Sequence, residues 1–196
     1  DRLGLQEMLV YFDPWLAGVV FPTVIIIGMM AIPFLDNNPK GTGYYSFEQR
    51  KMAVSIFMFF WLILWVFLIV VGTFLRGPNW NFFGPFEVWD IHKLEALTNI
   101  NLSEYVYMIW LKTTLPENIL VREIFGFLLL FIYFGLLPLL LAKSLFKGLF
   151  KNLGPLRYSV FTVLLLMAAG LPLKMFLRWA FNLKYIVAIP EYFFNI

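Results

Sequence analysis

The feature that most constrains this chain is a run of 24 residues, 52–75, without a single charged side chain. An α-helix rises about 1.5 Å per residue, so about 20 apolar residues cross the ~30 Å hydrocarbon core of a bilayer. The run is therefore predicted to be a transmembrane helix.

Three further segments have the length and apolar composition of membrane spans. The first covers residues 14–35 and begins at Asp13-Pro14, a favoured N-cap followed by a favoured first helical residue. The other two cover residues 124–142 and about 158–173, the last after Gly154-Pro155. The sequence thus predicts an all-α integral membrane protein with about four transmembrane helices.

The overall composition agrees with a membrane protein and excludes several other classes. Hydrophobic residues make up 61% of the 196 residues and charged residues 14%, against roughly 45–50% and 25% in soluble domains. Disorder requires low hydrophobicity, and a net charge of +3 argues against a nucleic-acid partner. With no cysteine and one histidine, the chain alone cannot build a disulfide, an iron–sulfur cluster or a bis-histidine haem.

The basic residues are distributed unevenly between the two sides of the predicted helices. Loops 36–51 and 143–157 carry seven Lys or Arg residues and two acids, whereas the other side carries eight bases and ten acids. Short basic loops stay on the cytoplasmic side. We therefore expect the N-terminus, loop 76–122 and the C-terminus to face outward.

The outer loop that follows the second span is rich in aromatic residues and turns. Aromatic rings are enriched at headgroup depth, so we expect an interfacial loop here, and segment 103–112 has the pattern of a short surface helix. The aromatic residues of the loop are Trp80, Phe82, Phe83, Phe86 and Trp89. His92 lies in the same loop, where a lone histidine is far more often solvated than a metal ligand.

Polar residues at the outer end of the first span are candidates for a binding site. Glu7 and Asp13 flank its start, with Gln6 and Tyr11 close by. A partly desolvated carboxylate has a raised pKa that suits general-base chemistry. Helix capping or simple solvation explains the same acids, and the spacing alone favours that explanation.

A second group of polar residues follows the fourth span. Lys174, Arg178 and Asn182 recur every four residues and so share one helix face. This basic stripe would suit a lipid phosphate or a cofactor carboxylate. Snorkelling of the two cations to the headgroups explains the stripe equally well and is the interpretation we favour.

Three runs of residues, in order and with the right spacing, resemble the C-terminal half of cytochrome b. They are residues 3–18, 31–40 and 72–81, with Ile32-Pro-Phe-Leu-Asp36 similar to a Val-Pro-Phe-Leu-Glu of the family. The nearest form is the split type, like subunit IV of the chloroplast cytochrome bf complex. The resemblance covers about residues 3–90 and predicts two regions, 1–90 and an extension, 91–196, like that of some bacterial quinol:cytochrome c oxidoreductases.

The resemblance implies a function shared between chains. In the family, haem b is held by histidines of the N-terminal half, so this chain would supply no haem axial ligand and no metal ligand. Its partners would be a haem-bearing cytochrome b N-terminal-half subunit, a Rieske-type iron–sulfur protein, a cytochrome c-type subunit and lipids. Quinol or quinone would occupy a site shared with these partners, and the complex would lie in the bacterial inner membrane.

The family's Pro-Glu-Trp-Tyr motif, which belongs to the outer quinol-oxidation site, does not occur before the first span. The place where it would end is occupied by Asp1-Arg2, so the motif either lies upstream in a longer protein or has been lost. No catalytic residue can therefore be carried over. Gln6 matches a family glutamine just after the motif, which places Gln6, Glu7 and Tyr11 near the quinol pocket by resemblance.

Two other functions remain open from the sequence. A small transporter or channel typically places ionisable residues at mid-membrane, and the first three spans have none there. A purely structural anchor subunit would need only the apolar helices. It differs from a quinol-site subunit because substitution of the candidate pocket residues would leave turnover unchanged.

Overall fold

The computed structural model describes residues 9–36, 47–75, 81–88, 90–93 and 99–196. In these ranges four helices are long and apolar enough to cross a membrane: Leu16–Leu35 (α1), Arg50–Leu75 (α2), Ile124–Lys143 (α3) and Lys147–Phe181 (α4). The prediction of an all-α membrane fold with four spans is confirmed, and the protein is a multi-pass membrane protein.

The helices begin and end where local chemistry favours it, although several turns are wider than an ideal α-helix. Helical geometry starts at Pro14, as the Asp13-Pro14 pair predicts, and α1 ends where Asp36 becomes extended. Wide π-type turns interrupt α1 to α3, and such turns are tolerated when the backbone hydrogen bonds are still made within the helix. They occupy Leu16–Val20, Phe59–Trp65, Val71–Leu75 and Ile132–Leu136.

The fourth helix is longer than predicted. It is kinked at Gly154, whose φ of 75° and ψ of 171° are not helical, and glycine reaches such a positive φ at no steric cost. Beyond the kink it continues eight residues past the predicted exit at residue 173 and ends at the left-handed Asn182. The predicted exit from the membrane near residue 173 stays a prediction, and the helix itself continues through the buried Lys174.

The described residues form two compact units. The first contains residues 9–10, 47–75, 81–88 and 90–93, and the second contains residues 11–36 and 99–196. The second unit therefore joins the first span to the two spans of the C-terminal half. The predicted division at residue 90 was drawn from a resemblance in sequence, and it stays a prediction.

In the first unit the chain folds back directly after α2. The Phe83 N–H donates to the carbonyl of Leu75 at 2.8 Å, and Phe83 is only 4% exposed. Phe86, in contrast, is 99% exposed. Trp80 and Trp89 of the predicted aromatic belt lie outside the described residues. Phe83 thus belongs to the packed interior, whereas Phe86 is available to the surroundings.

In the second unit α1 and α4 run antiparallel. At one end Tyr11 contacts Trp179, and at the other the Arg157 guanidinium lies 5.3 Å from the ring centre of Phe34. The chain before α3 forms the predicted short helix, Leu102–Glu104 continuing as Tyr105–Trp110. A capping box starts it, because the Asn101 N–H donates to the Glu104 carboxylate at 3.0 Å.

The residues after α4, numbers 183–196, form a C-terminal tail that returns onto the helix ends. Leu183 pairs with Ile100 in an isolated parallel bridge. Strands Ala188–Ile189 and Phe194–Asn195 then pair antiparallel around the turn Pro190–Tyr192. Tyr11, the start of α3 and the tail therefore meet at one end of the second unit, which we call the tail end.

Candidate functional site

Tyr11 is the one predicted quinol-pocket residue within the described part of the chain. Its side chain is 7% exposed, and its hydroxyl oxygen accepts a hydrogen bond from the indole N–H of Trp179 at 2.9 Å. The two rings meet edge to face with centres 6.2 Å apart. Gln6 and Glu7 lie outside the described residues. The start of the first span is therefore fixed to the end of α4 by a specific polar contact.

A second polar contact joins the same two regions. The Tyr185 hydroxyl donates to a carboxylate oxygen of Asp13 at 2.9 Å. Burial, followed by this hydrogen bond and the negative charge of Asp13, raises the pKa of Tyr185 to about 12. Two lysine ammonium groups lie near the Tyr185 ring, Lys174 at 5.6 Å and Lys184 at 4.9 Å from its centre. The Tyr185 side chain thus lies between one carboxylate and two cations.

The basic stripe of α4 does not behave as a single solvated face. Arg178 donates from Nη1 to the Asn182 carbonyl at 3.1 Å and so caps its own helix. Lys174 is 4% exposed, and its Nζ has no hydrogen-bond partner among the described residues. The snorkelling interpretation is therefore wrong for Lys174, because this side chain is buried beside the Tyr185 ring of the tail.

Lys174 lines a cavity of about 330 Å³ in the second unit. Trp15 lines the same cavity, and its indole N–H is buried and has no hydrogen-bond partner within the described ranges. Its ring stacks on Phe194 of the tail with centres 5.3 Å apart. Lys174 is the one charged side chain among the described residues that line the cavity. Two buried donors without partners among the described residues thus belong to side chains that line an otherwise apolar space.

The tail is held in place by charged residues that precede α3. Glu123 is 1% exposed and accepts a hydrogen bond from the buried Ala188 N–H at 3.1 Å. Arg122 makes a two-pronged ion pair with Glu191 at 3.1 and 3.0 Å. The hydrogen bonds between Arg122 and Glu191 hold the pKa of the Glu191 carboxyl below its ordinary value and raise the pKa of Arg122.

A glycine in α3 allows this close approach of the tail. A Cβ at Gly126 would collide with the Ile186 carbonyl oxygen and lie 2.7 Å from Cγ2 of Val187. Sequence reasoning identified neither Gly126 nor the Arg122-Glu123 pair. The only available signal was an adjacent acid and base directly before an apolar run, a pattern that is common at membrane boundaries.

His92 is exposed, and its backbone N–H donates to the Asp90 carboxylate at 3.0 Å. No group of three His, Asp or Glu side chains suited to a metal ion is found in the part of the chain that the structure describes. Comparison of the chain with protein-family models, curated proteins and solved structures finds no match. Fold and site together define a multi-pass membrane protein whose tail end carries a buried cation beside an apolar cavity.

Proposed function

We propose that this chain is a membrane subunit of a bc-type quinol oxidoreductase. It would form part of the wall of the outer quinol-oxidation site and pack beside a subunit that carries haem b. The observation that carries the proposal is the ordered resemblance of residues 3–18, 31–40 and 72–81 to the C-terminal half of cytochrome b. These runs cover both ends of the first helix and the end of the second, together with the segments that flank them.

The geometry of the tail end supports a positioning role for this chain. Residues 6 and 7 come five and four positions before Tyr11 in the sequence, and the Tyr11 hydroxyl is held by Trp179. Two residues further on, Asp13 is held by Tyr185. A binding wall needs side chains that are fixed before the ligand arrives, because ordering them on binding costs affinity. These two hydrogen bonds anchor the start of the first span in that way.

The chemistry would be divided among the chains of the complex. Oxidation of a quinol releases two electrons and two protons; the Rieske-type protein and haem b of the partner chain would each supply an acceptor for one electron. This chain would bind and orient the quinol through Gln6, Glu7 and the Tyr11 region. A carboxylate such as Glu7 at the membrane boundary suits the acceptance of a proton that leaves outward.

The charge distribution supports the orientation that this function requires. Seven bases and two acids in loops 36–51 and 143–157 favour the cytoplasmic side for those loops. The tail end would then face outward from the bacterial inner membrane. This is the side on which the resemblance places quinol oxidation, and the charge count is independent of that resemblance.

The proposal is tested by substituting the candidate pocket residues in the assembled complex. Gln6→Leu and Glu7→Gln should each lower kcat/KM for quinol by about tenfold, the effect of losing one good hydrogen bond in the transition state. Tyr158→Phe is the matched control, because the Tyr158 hydroxyl donates to the Pro138 carbonyl away from the tail end. It should leave turnover unchanged.

Two results would contradict the proposal in different ways. Unchanged quinol turnover in Gln6→Leu and Glu7→Gln would indicate a purely structural anchor subunit. Uptake of a solute by the purified chain in liposomes would indicate a transporter or channel. Neither outcome is expected.

A further inference from the structure

Lys174, which lines the cavity, has a buried amino group without a hydrogen-bond partner among the described residues. A buried ammonium group is stable only when it is paired or hydrogen-bonded, because burial removes its hydration. Lys174 is 4% exposed, and its Nζ has neither a hydrogen bond nor an ion pair among the described residues. The Tyr185 ring lies near it, with its centre 5.6 Å from Nζ.

A second buried donor without an acceptor, the indole N–H of Trp15, belongs to the same cavity. The Trp15 N–H is buried without an acceptor in the described part of the chain, although buried polar groups are paired in the great majority of cases. Trp15 and Lys174 lie on different helices, α1 and α4, and both line the cavity. An oxyanion bound between α1 and α4 is the kind of acceptor that both donors lack.

The rest of the cavity favours a ligand with an alkyl chain. Its volume of about 330 Å³ lies at the lower end of the roughly 300–1,000 Å³ that is typical of ligand pockets. Apart from Lys174, the described lining residues are apolar or aromatic with one glycine. Leu129, Phe134 and Leu173 remain 39%, 38% and 42% exposed, so the cavity is open along these helices.

We propose that this cavity binds one membrane amphiphile with an oxyanion head, either a fatty carboxylate or the phosphate of an acidic lipid. The oxyanion pairs with Lys174 Nζ and accepts the Trp15 N–H, while the alkyl chain leaves along the opening at Leu129, Phe134 and Leu173. The bound amphiphile also ties α1 to α4 beneath the tail. This inference does not depend on the proposed redox function.

The test uses the full chain purified in a neutral maltoside detergent, first as isolated and then after phospholipid has been washed away. Native mass spectrometry records whether one acidic amphiphile per chain is retained and gives its mass. Thermal unfolding is then followed while dodecanoate or short-chain phosphatidylglycerol is added, with dodecanol as the uncharged comparison. Dodecanoate reports a fatty carboxylate and phosphatidylglycerol a lipid phosphate, so the two arms distinguish the source.

The variants isolate the two donors. Lys174→Met should weaken the binding of the anionic amphiphile by at least about tenfold, the effect of losing a charge-assisted hydrogen bond. Trp15→Phe keeps a stacking ring and should weaken it about threefold, since only a neutral hydrogen bond is lost. Lys143→Met removes an exposed lysine at the opposite end of α3 and should change nothing.

A loss of binding in Lys174→Met can be told apart from a loss of folding. Lys174→Met removes an unpaired buried charge, so in the absence of lipid it should melt at the same temperature as the wild type or above it. The proposal is overturned if dodecanol stabilises the wild type as much as the anions do. It is equally overturned if Lys174→Met binds the anions as well as the wild type, or if a neutral quinone stabilises the protein and the anions do not.

Discussion

Replacement of Gly126 by alanine should detach the C-terminal tail from α3. The added methyl group would overlap the Ile186 carbonyl oxygen and lie 2.7 Å from Val187 Cγ2 and 3.2 Å from the Ile186 carbonyl carbon. Ordinary carbon contacts are about 3.5–4.0 Å. The obstacle is largely backbone, so the tail must move by about 1 Å to relieve the overlap.

The expected size of the effect follows from three contributions. Overpacking costs about 1–3 kcal/mol. The movement strains the hydrogen bonds that Ile186 and Val187 donate to the Ile196 carbonyl at 2.6 and 3.2 Å, which adds about 1 kcal/mol if one is lost. The better helix propensity of alanine returns about 1 kcal/mol. The net cost of about 1–3 kcal/mol falls on the docking of the tail.

Hydrogen exchange measured by mass spectrometry tests this prediction in the full chain. Amides in residues 183–196 should exchange about 10- to 100-fold faster in Gly126→Ala, since each 1.4 kcal/mol changes an opening equilibrium about tenfold. Gly28→Ala is the matched control, because a Cβ at Gly28 of α1 meets nothing within 4 Å. Equal tail exchange in the two variants would refute the reasoning.

Three further predictions concern the ionisable residues that hold the tail. Glu123→Ala leaves the buried Ala188 N–H without its acceptor and should destabilise the protein by about 1–3 kcal/mol in thermal unfolding; Glu123→Gln keeps an acceptor, so an equal loss in both variants would contradict this. The Tyr185 pKa is raised from 10.0 to about 12. The neutral Tyr185 hydroxyl therefore stabilises the folded protein fully below pH 10, and this contribution declines as the pH rises towards 12. Tyr185→Phe should abolish this decline, which a pH series of melting temperatures would detect. The Glu191 pKa is lowered by Arg122, so stabilisation by the pair is present above the ordinary carboxyl pKa and is lost as the pH falls through the lowered value; Glu191→Gln should flatten the acid dependence of tail exchange.

The positions of the four spans could be predicted because membrane insertion depends on local composition. Residues 52–75 need no information about their neighbours to be recognised as a span, and Asp13-Pro14 marks the start of the first helix by local chemistry alone. The end of α4 could not be predicted in this way. Lys174 indicates a membrane boundary when only its charge is considered, but contacts with distant residues bury it.

The candidate site shows the same division between local and long-range information. Tyr11 and Lys174 were identifiable from their chemistry and their place beside apolar runs. Their partners were not, because the bond between Tyr11 and Trp179 joins residues 168 positions apart. The acceptor role of Glu123 depends on a tail segment 65 residues further along the chain. Periodicity and local spacing contain no information about such contacts.

The most direct test of the proposed function is purification of the native assembly in a mild detergent, followed by identification of its chains and a reduced-minus-oxidised spectrum. We expect this chain to co-purify with a haem b-bearing subunit and a Rieske-type protein, and the spectrum to show haem b that is reduced on addition of quinol. A homo-oligomer of this chain alone, without a haem signal, would contradict the account.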